Sequence, residues 1–282
     1  MKEVVVITGA TNGIGKAAVL DLAKDFQHII FTYRNEDLKN HLYLELNEIN
    51  SVIHLDSVYC DFSSFDSIRE ACDRIKNLTQ KIDVLINNAG VVNTTYHETD
   101  AGIENTFAVN HLGYFLFTNL LVGLVPSHSG KIINVASAAH AFVKEMQWND
   151  LNYKKDFNMG FKAYGQSKLA NILFTKHLSK KLLAKGIAVN CIHPGGVNTA
   201  LGNQNKSLLG RILKILLKPF FRTPLKGAQG ILYLARMNDN SLSGEYFVDS
   251  KIKKTSMAAR SESSQERLWE VSEEMVKQTF NL

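Results

Sequence analysis

The chain opens on an apolar run that leads straight into a glycine-rich turn: Val4-Val5-Val6-Ile7-Thr8-Gly9-Ala10-Thr11-Asn12-Gly13-Ile14-Gly15. A short continuous apolar run is typical of a strand buried on both faces of a parallel sheet. Glycine lets the backbone turn tightly, and a helix that begins near Gly13 points its free N–H groups at an anion. The spacing is G-x-x-x-G-x-G. Its place between a strand and a helix predicts a turn that binds a dinucleotide pyrophosphate.

Predicted strands and helices alternate along the rest of the chain. Apolar runs predict seven strands, at Val4–Thr8, His28–Tyr33, Val52–Tyr59, Val84–Ile86, Lys131–Ala136, Ile187–Ile192 and Tyr246–Val248. Helical periodicity predicts helices near residues 14–24, 35–48, 64–80, 101–124, 163–185 and 225–236. This order predicts an α/β fold of the Rossmann type, a doubly wound parallel sheet of about seven strands with helices on both faces. Since no Pro- or Gly-rich linker divides the chain, we expect one domain over residues 1–282.

The composition excludes several classes of protein. Of the 282 residues, 45% are hydrophobic and 21% are charged, as in ordinary soluble globular proteins. The formal net charge of +5 is too small to indicate a nucleic-acid partner. The scattered cysteines Cys60, Cys72 and Cys191 have neither metal-ligand spacing nor the density of a disulfide scaffold. No apolar run reaches the ~18 residues of a membrane-spanning helix. We therefore expect a cytoplasmic protein.

The end of the second predicted strand indicates which dinucleotide binds. An acidic residue at this place bonds the 2′-hydroxyl of NAD, whereas an arginine accommodates the 2′-phosphate of NADP. The strand ends Phe31-Thr32-Tyr33-Arg34-Asn35, without a carboxylate. A guanidinium can hold a phosphate with two hydrogen bonds, so we expect NADP(H) rather than NAD(H). Arg34 could also be an ordinary surface side chain, and Lys16 could assist it or simply be solvated.

Three side chains form a candidate proton-transfer group. Tyr164 and Lys168 are four residues apart in a segment with helical periodicity, so they share one face of a helix. A tyrosine pKa near 10 is too high for acid–base work near neutrality, and the adjacent ammonium is expected to lower it. Ser137 ends the strand Ile132–Ala136, which places its hydroxyl at the carboxyl edge of the sheet. There it can bond a substrate carbonyl oxygen, or it can cap a turn.

Further motifs follow along the chain: Asp61 after the third strand, Asn87-Asn88-Ala89-Gly90, Asn110, and Pro194-Gly195-x-x-x-Thr199. Together with the glycine turn, Ser137 and Tyr164-x-x-x-Lys168, they resemble the short-chain dehydrogenase/reductase family over residues 4 to about 200. The resemblance implies a catalytic set of Asn110, Ser137, Tyr164 and Lys168. In this set Asn110 would hold a water in a proton relay through Lys168.

The same resemblance implies which residues contact the cofactor. Asp61 would contact the adenine, Asn88–Gly90 would stabilise the central strand and the cofactor, and Thr199 would bind the nicotinamide carboxamide or a phosphate. Lys168 would also bond the nicotinamide ribose. The full expected set is Gly9, Thr11, Asn12, Gly13, Ile14, Gly15, Arg34, Asp61, Phe62, Asn88, Ala89, Gly90, Tyr164, Lys168, Pro194, Gly195, Val197 and Thr199.

Motifs in the second half of the chain are similar to the retinol dehydrogenase-like branch of that family. They are Ala163-Tyr164-x-Gln166-Ser167-Lys168-Leu169-Ala170-Asn171, Phe220-Phe221-Arg222-Thr223-Pro224, Ser243-Gly244-x-Tyr246-Phe247 and Leu268-Trp269-x-x-Ser272. The resemblance implies an NADP(H)-dependent oxidoreductase that interconverts lipophilic alcohols with aldehydes or ketones by hydride transfer. No metal is expected, because His111, His140 and His193 lack metal-ligand spacing with a third ligand.

Two alternative functions stay open at this point. One is a reductase of another bulky ketone, such as a steroid or a polyketide-like substrate. The other is a non-catalytic NADP(H)-sensing interaction protein, since a fold does not fix a function. Intact Asn110, Ser137, Tyr164 and Lys168 argue against the second alternative.

Residues 207–221 form an unusual basic amphipathic stretch. Arg211, Lys214 and Lys218 recur at helical spacing among apolar residues, and Pro219 ends the pattern. Three interpretations compete: a substrate lid within about 200–225, a surface helix at a homodimer or core interface, and a weak contact with a membrane surface. A second amphipathic helix is predicted from Ser261 to Phe280, docked on the body of the protein or on a partner subunit.

Overall fold

A computed structural model describes residues 4–196 and 222–282 of the chain. The strands in these residues are β1 Val4–Ile7, β2 His28–Tyr33, β3 His54–Tyr59, β4 Val84–Asn87, β5 Lys131–Val135, β6 Ala188–His193, β7 Tyr246–Val248 and β8 Lys251–Ile252. They form one sheet in the order β3-β2-β1-β4-β5-β6-β7-β8. Neighbouring strands are parallel except β7 and β8, which are antiparallel.

Helices cover both faces of the sheet. The α-helices in the described residues are α1 Gly13–Leu22, α2 Glu36–Ile49, α3 Phe65–Leu78, α4 Asn105–Phe107, α5 Gly113–Leu121, α6 Phe161–Lys181, α7 Pro224–Arg236 and α8 Glu262–Val276. A π-helical turn, Ala108–Leu112, joins α4 to α5. The buried apolar side chains form two clusters: α1, α2 and α7 pack on one face, and α3, α5, α6 and α8 on the other.

The predicted α/β architecture is confirmed, with small differences at the ends of elements. In the described residues the sheet has eight strands rather than about seven. The additional strand is β8, an antiparallel edge strand of two exposed residues that are not part of an apolar run. The third strand begins at His54 and not at Val52, which lies exposed in a turn. The last helix ends at Val276 and not near 280, because Lys277 turns into the left-handed region with φ +54°.

The proposed lid segment of about 200–225 lies mostly outside the described residues, as do Val197, Thr199 and the basic stretch 207–221. The structure resumes at Arg222, whose guanidinium pairs with the carboxylate of Asp249. Thr223 then caps α7, since its hydroxyl accepts a hydrogen bond from the Lys226 amide at 3.2 Å.

The helical stretch Asn105–Leu124 differs from our expectation that no segment could cross a membrane. By length and composition alone it is long and apolar enough to do so. However, 83% of its most apolar window is buried inside the fold. Phe115 and Phe117, both on α5, are fully buried in the apolar cluster on this face of the sheet. The apolar character of the stretch is therefore that of a core helix.

The strand order reverses at β1, which pairs with β2 on one side and β4 on the other. In such sheets ligands bind in the crevice beyond the carboxyl ends of the strands at this point. The turn between β1 and α1 crosses that crevice and is fastened to the end of β4. Asn88 donates from Nδ2 to the carbonyl oxygens of Thr8 and Gly9, each at 3.0 Å. The Thr8 hydroxyl accepts from the amides of Asn88 and Ala89.

We call these hydrogen bonds of Thr8 and Asn88 the clamp, and a substitution at Gly15 tests it. A Cβ at Gly15 would lie 2.2 Å from the Gly9 oxygen and 2.4 Å from Asn88 Nδ2. We expect Gly15→Ala to displace the turn, at about 1–3 kcal/mol, and so to weaken NADPH binding roughly 10- to 100-fold in a fluorescence titration. Gly123→Ala is the matched control, since its Cβ would have no neighbour within 4 Å. Equal affinities of the two variants would contradict the role of the clamp.

Candidate active site

A cavity of about 820 Å³ opens at the carboxyl ends of the central strands. Its wall contains most of the residues singled out from the sequence: Gly9, Thr11, Asn12, Gly13, Ile14, Gly15, Arg34, Phe62, Asn88, Ala89, Gly90, Ser137, Tyr164, Lys168, Pro194 and Gly195. Asp61 and Asn110 are not part of this wall. Val197 and Thr199 lie outside the described residues. The structure therefore brings the glycine turn and the proton-transfer group to one cavity.

Lys168 is almost completely buried, with 4% of its surface exposed. Its ammonium donates a hydrogen bond at 2.9 Å to the carbonyl oxygen of Val135, the last residue of β5. Asn171 donates to the same oxygen at 3.4 Å. The ring centres of Tyr114 and Tyr164 each lie 5.8 Å from the ammonium. Because burial disfavours the charged form, it lowers the pKa of Lys168 to about 7.

Tyr164 precedes Lys168 by one turn of α6, as predicted, but its electrostatics differ from our expectation. Burial raises the pKa of the phenol, and the hydrogen bond with the Ser137 hydroxyl lowers it by less. The expected lowering by Lys168 does not prevail, because the ammonium is directed at the Val135 carbonyl and lies 5.8 Å from the ring centre. In the cofactor-free protein the phenol therefore keeps its proton at neutral pH, which is the form that can protonate a substrate oxygen.

Ser137 caps a turn, which is one of the two roles that the sequence left open. Its hydroxyl accepts a hydrogen bond from the Ala139 amide at 3.1 Å and so caps the short 3-10 helix Ala138–Phe142. The same hydroxyl faces Tyr164 across the cavity wall. The Ser137 carbonyl oxygen lies 2.7 Å from His140 Nδ1, and His140 Nε2 accepts from the Ser256 amide at 3.3 Å. His140 therefore carries its proton on Nδ1 and links Ser137 to the segment that follows β8.

Asn110 lies in the π-helical turn and is fully buried. Its Oδ1 accepts from the Val91 amide at 2.8 Å, while its Nδ2 donates to the Val91 carbonyl at 3.0 Å and to the Ser167 hydroxyl at 3.1 Å. Asn110 thus fastens the segment after β4 to α6, one residue before Lys168. π-Helical turns are frequent at functional sites. The water-holding role implied by the resemblance stays a prediction.

Arg34 is a loosely paired cation in the part of the cavity wall that follows β2. Arg34 follows β2, its side chain is 55% exposed, and its Nη1 lies 3.7 Å from Asp61 Oδ1. That carboxylate oxygen already accepts hydrogen bonds from the Ser63 amide at 2.9 Å and the Ser63 hydroxyl at 2.7 Å. Lys16 pairs instead with Glu45 at 2.6 Å and does not line the cavity.

Among the residues that build the site, Thr8, Thr32 and Phe142 were not singled out from the sequence as site residues. The Thr8 hydroxyl holds the backbone after β4, and the Thr32 hydroxyl accepts from the Gly9 amide at 3.3 Å. Phe142 lines the cavity although 59% of it is exposed. A hydroxyl directly before the first glycine was a readable signal for Thr8. Phe142 lies in a short 3-10 helix without periodicity, so no pattern marks it.

Lys168 should make stability depend on pH. Its pKa is about 7 in the folded protein against 10.5 when unperturbed. Between these values the unfolded chain binds more protons, so stability rises with pH by at most about 1.4 kcal/mol per unit. We expect urea unfolding of the cofactor-free protein to show this rise between about pH 7 and about pH 8.5. Lys168→Met should remove it, and Lys76→Met, at a partly exposed position on α3, should not. Parallel profiles for Lys168→Met and the wild type would contradict the assignment.

The sequence is similar to those of known proteins over most of its length. A family model described as short chain dehydrogenase matches residues 3–208. The chain is 39% identical to retinol dehydrogenase 14 and 38% identical to retinol dehydrogenase 12 of Mus musculus, in each case over 97% of this chain and 86% of the relative. It is 33% identical to polyprenol dehydrogenase of Homo sapiens, over 97% of this chain and 84% of that protein.

Solved structures share the fold over most of their length. A crystal structure of an uncharacterised protein from Mycobacterium paratuberculosis superposes with a TM-score of 0.78 at 26% identity, covering 100% of this chain and 96% of that one. Blue fluorescent protein from a metagenomic library, in complex with NADPH, gives a TM-score of 0.68 at 26% identity, covering 86% and 94%. The chain belongs to the short-chain dehydrogenase/reductase family, in its retinol dehydrogenase-like branch, and is an oxidoreductase.

Proposed function

We propose that this protein uses NADP(H) to interconvert a lipophilic alcohol and its aldehyde or ketone. One observation carries the proposal: the hydroxyls of Ser137 and Tyr164 and the ammonium of Lys168 share a cavity with the glycine turn. The family supplies the reaction class, which acts on CH–OH groups. The choice of NADP(H), the lipophilic substrate and the roles of individual residues are what we propose.

The cavity suits a nicotinamide dinucleotide. The turn 9–15 presents backbone without a Cβ at its three glycines, and the positive end of α1 begins at Gly13. When bound, the cofactor supplies or accepts the hydride. Binding, orientation and proton movement then fall to side chains of this chain.

Tyr164 and Ser137 would hold the substrate oxygen between their hydroxyls. In reduction the Tyr164 phenol gives its proton to that oxygen, and in oxidation the phenolate takes it back. The Lys168 ammonium stabilises the phenolate electrostatically, and its burial strengthens that interaction because little water screens it. The Val135 carbonyl keeps the ammonium in place throughout.

The preference for NADP(H) rests on the end of β2. No carboxylate stands at residues 33–35, the position where one would bond the 2′-hydroxyl of NAD and repel a 2′-phosphate. The Arg34 guanidinium is only loosely paired at 3.7 Å and lies in the cavity wall, where it can turn toward a phosphate. One of the similar solved structures is a complex with NADPH.

The proposal that the substrate is lipophilic is based on the apolar part of the cavity wall. Val91, Val109 and Phe142 contribute apolar surface to the cavity wall. The relatives are named for retinol and polyprenol, which are lipophilic alcohols. Cys60, Cys72 and Cys191 are free and buried, which is compatible with a cytoplasmic location. That location, a homodimer and the role of residues 207–221 stay predictions.

Tyr164→Phe removes the phenolic proton and keeps the ring. We expect at least a ~100-fold lower rate of NADPH oxidation with a panel of aldehydes, ketones and retinal, because general acids contribute roughly 10²- to 10⁴-fold. NADPH binding, followed by fluorescence, should be unchanged. Tyr233→Phe is the control, because Tyr233 is an exposed residue of α7 that lies outside the cavity wall. A Tyr164→Phe enzyme that oxidises NADPH at nearly the wild-type rate would contradict the proposed mechanism.

Arg34→Ala tests the cofactor preference. We expect the KM for NADPH to rise roughly 10- to 100-fold, as the loss of a charge-assisted hydrogen bond predicts, while the KM for NADH stays unchanged. Lys180→Ala removes an exposed cation that does not line the cavity and should alter neither value. If Arg34→Ala raised both KM values equally, the residue would not select NADP(H).

A further inference from the structure

A cluster of potential metal ligands lies near the amino-terminal ends of β2 and β3, away from the active site at the carboxyl ends of the strands. His28 begins β2 and His54 begins β3, which is the edge strand. The parallel register pairs His28 with His54 and Ile30 with Asp56. Because alternate residues of a strand share a face, these three polar side chains project from one face of the sheet. This is the face covered by α3, α5, α6 and α8, since Ile30 and Val58 belong to that cluster.

The three side chains converge on one point. His28 Nε2 lies 2.8 Å from Asp56 Oδ2, and His54 Nε2 lies 3.3 Å from the same oxygen. All three donor atoms lie within 4.8 Å of one another. The two imidazole rings stack with their centres 4.0 Å apart and their planes 17° apart. Zinc bonds of about 2.0–2.2 Å in a tetrahedron place neighbouring donors roughly 3.4 Å apart, so small side-chain rotations suffice to admit the ion.

The exposure of the cluster suits an ion that enters from solvent. The side chain of His28 is 11% exposed and that of Asp56 is 23% exposed, whereas that of His54 is 65% exposed. The site is thus closed on the β2 side and open at the edge strand. Two imidazoles and one carboxylate leave a position for water, as in three-ligand zinc sites. Imidazole ligands select transition metals over Mg²⁺ and Ca²⁺, which prefer oxygen donors.

A plain hydrogen-bonded trio is the competing interpretation. It accounts well for the 2.8 Å contact between His28 and Asp56. It also allows the 3.3 Å contact of His54 Nε2, because a carboxylate oxygen can accept two hydrogen bonds, but it does not require the two rings to stack. A divalent cation satisfies both nitrogens and the carboxylate at once, with each ring carrying its proton on Nδ1.

We propose that His28, His54 and Asp56 bind one Zn²⁺ ion that fastens the edge strand β3 to β2. The ion would not take part in the oxidoreductase reaction. β2 runs from His28 to Tyr33, roughly 17 Å at ~3.3 Å per residue, and only its far end reaches the cofactor cavity. Spacing along the chain does not mark this cluster, because its residues meet only through the alignment of β2 with β3.

The test is a calorimetric Zn²⁺ titration of the chelator-treated full chain, with Mg²⁺ as the comparison ion. We expect wild type to bind Zn²⁺ but not Mg²⁺ at this site, and saturating Zn²⁺ to raise the unfolding temperature by about 5 °C or more. His54→Ala and Asp56→Asn should each weaken this binding at least ~100-fold, since even outer-shell changes cost 10- to 100-fold. His41→Ala, an exposed histidine on α2, should bind as the wild type does.

Equal Zn²⁺ affinity in wild type and His54→Ala would overturn the proposal and leave a hydrogen-bonded trio. The same holds if wild type binds no Zn²⁺ or gains no thermal stability from it. Circular dichroism checks that the variants fold, and the wild-type titration decides the question if they do not. The turnover of the Zn²⁺-loaded and chelated enzymes should be equal, so this test is independent of the proposed function.

Discussion

The buried ammonium of Lys168 is the constraint on which the site depends. Removing a charge from water is costly, and the fold compensates with one backbone carbonyl at the end of β5. That carbonyl belongs to the last residue of β5, and only Ala136 separates it from Ser137. The contact therefore fixes the distance between α6 and the end of β5. It sets where Tyr164 meets Ser137.

A chain of buried side-chain hydrogen bonds keeps α5 and α6 seated on the same strands. Asn87 on β4 donates to Asn134 on β5 at 2.8 Å and to Thr118 on α5 at 2.7 Å. Asn134 in turn donates to the Thr175 hydroxyl on α6 at 2.9 Å. Polar groups in a core are costly unless paired, so these amides specify one register of helices against strands. The precision of the active site is inherited from this register.

Sequence reasoning recovered the features that depend on local spacing. The glycine turn and the Tyr164–Lys168 pair are readable because a turn or one helical repeat fixes their geometry. It failed where depth or register decides. The direction of the Tyr164 pKa depends on burial, which no spacing reveals. The meeting of His28 with His54 depends on how β2 and β3 align, which appears only once the sheet is built.

The link from Ser137 through His140 to Ser256 has a consequence for how this enzyme can diverge. The segment after β8 contributes an amide to the ring that holds the Ser137 carbonyl. Replacements near Ser256 can therefore shift Ser137 through the His140 ring, although Ser256 does not line the cavity. Sequence variation in the C-terminal part of the chain can in this way reach one wall of the cavity while the glycine turn stays unchanged.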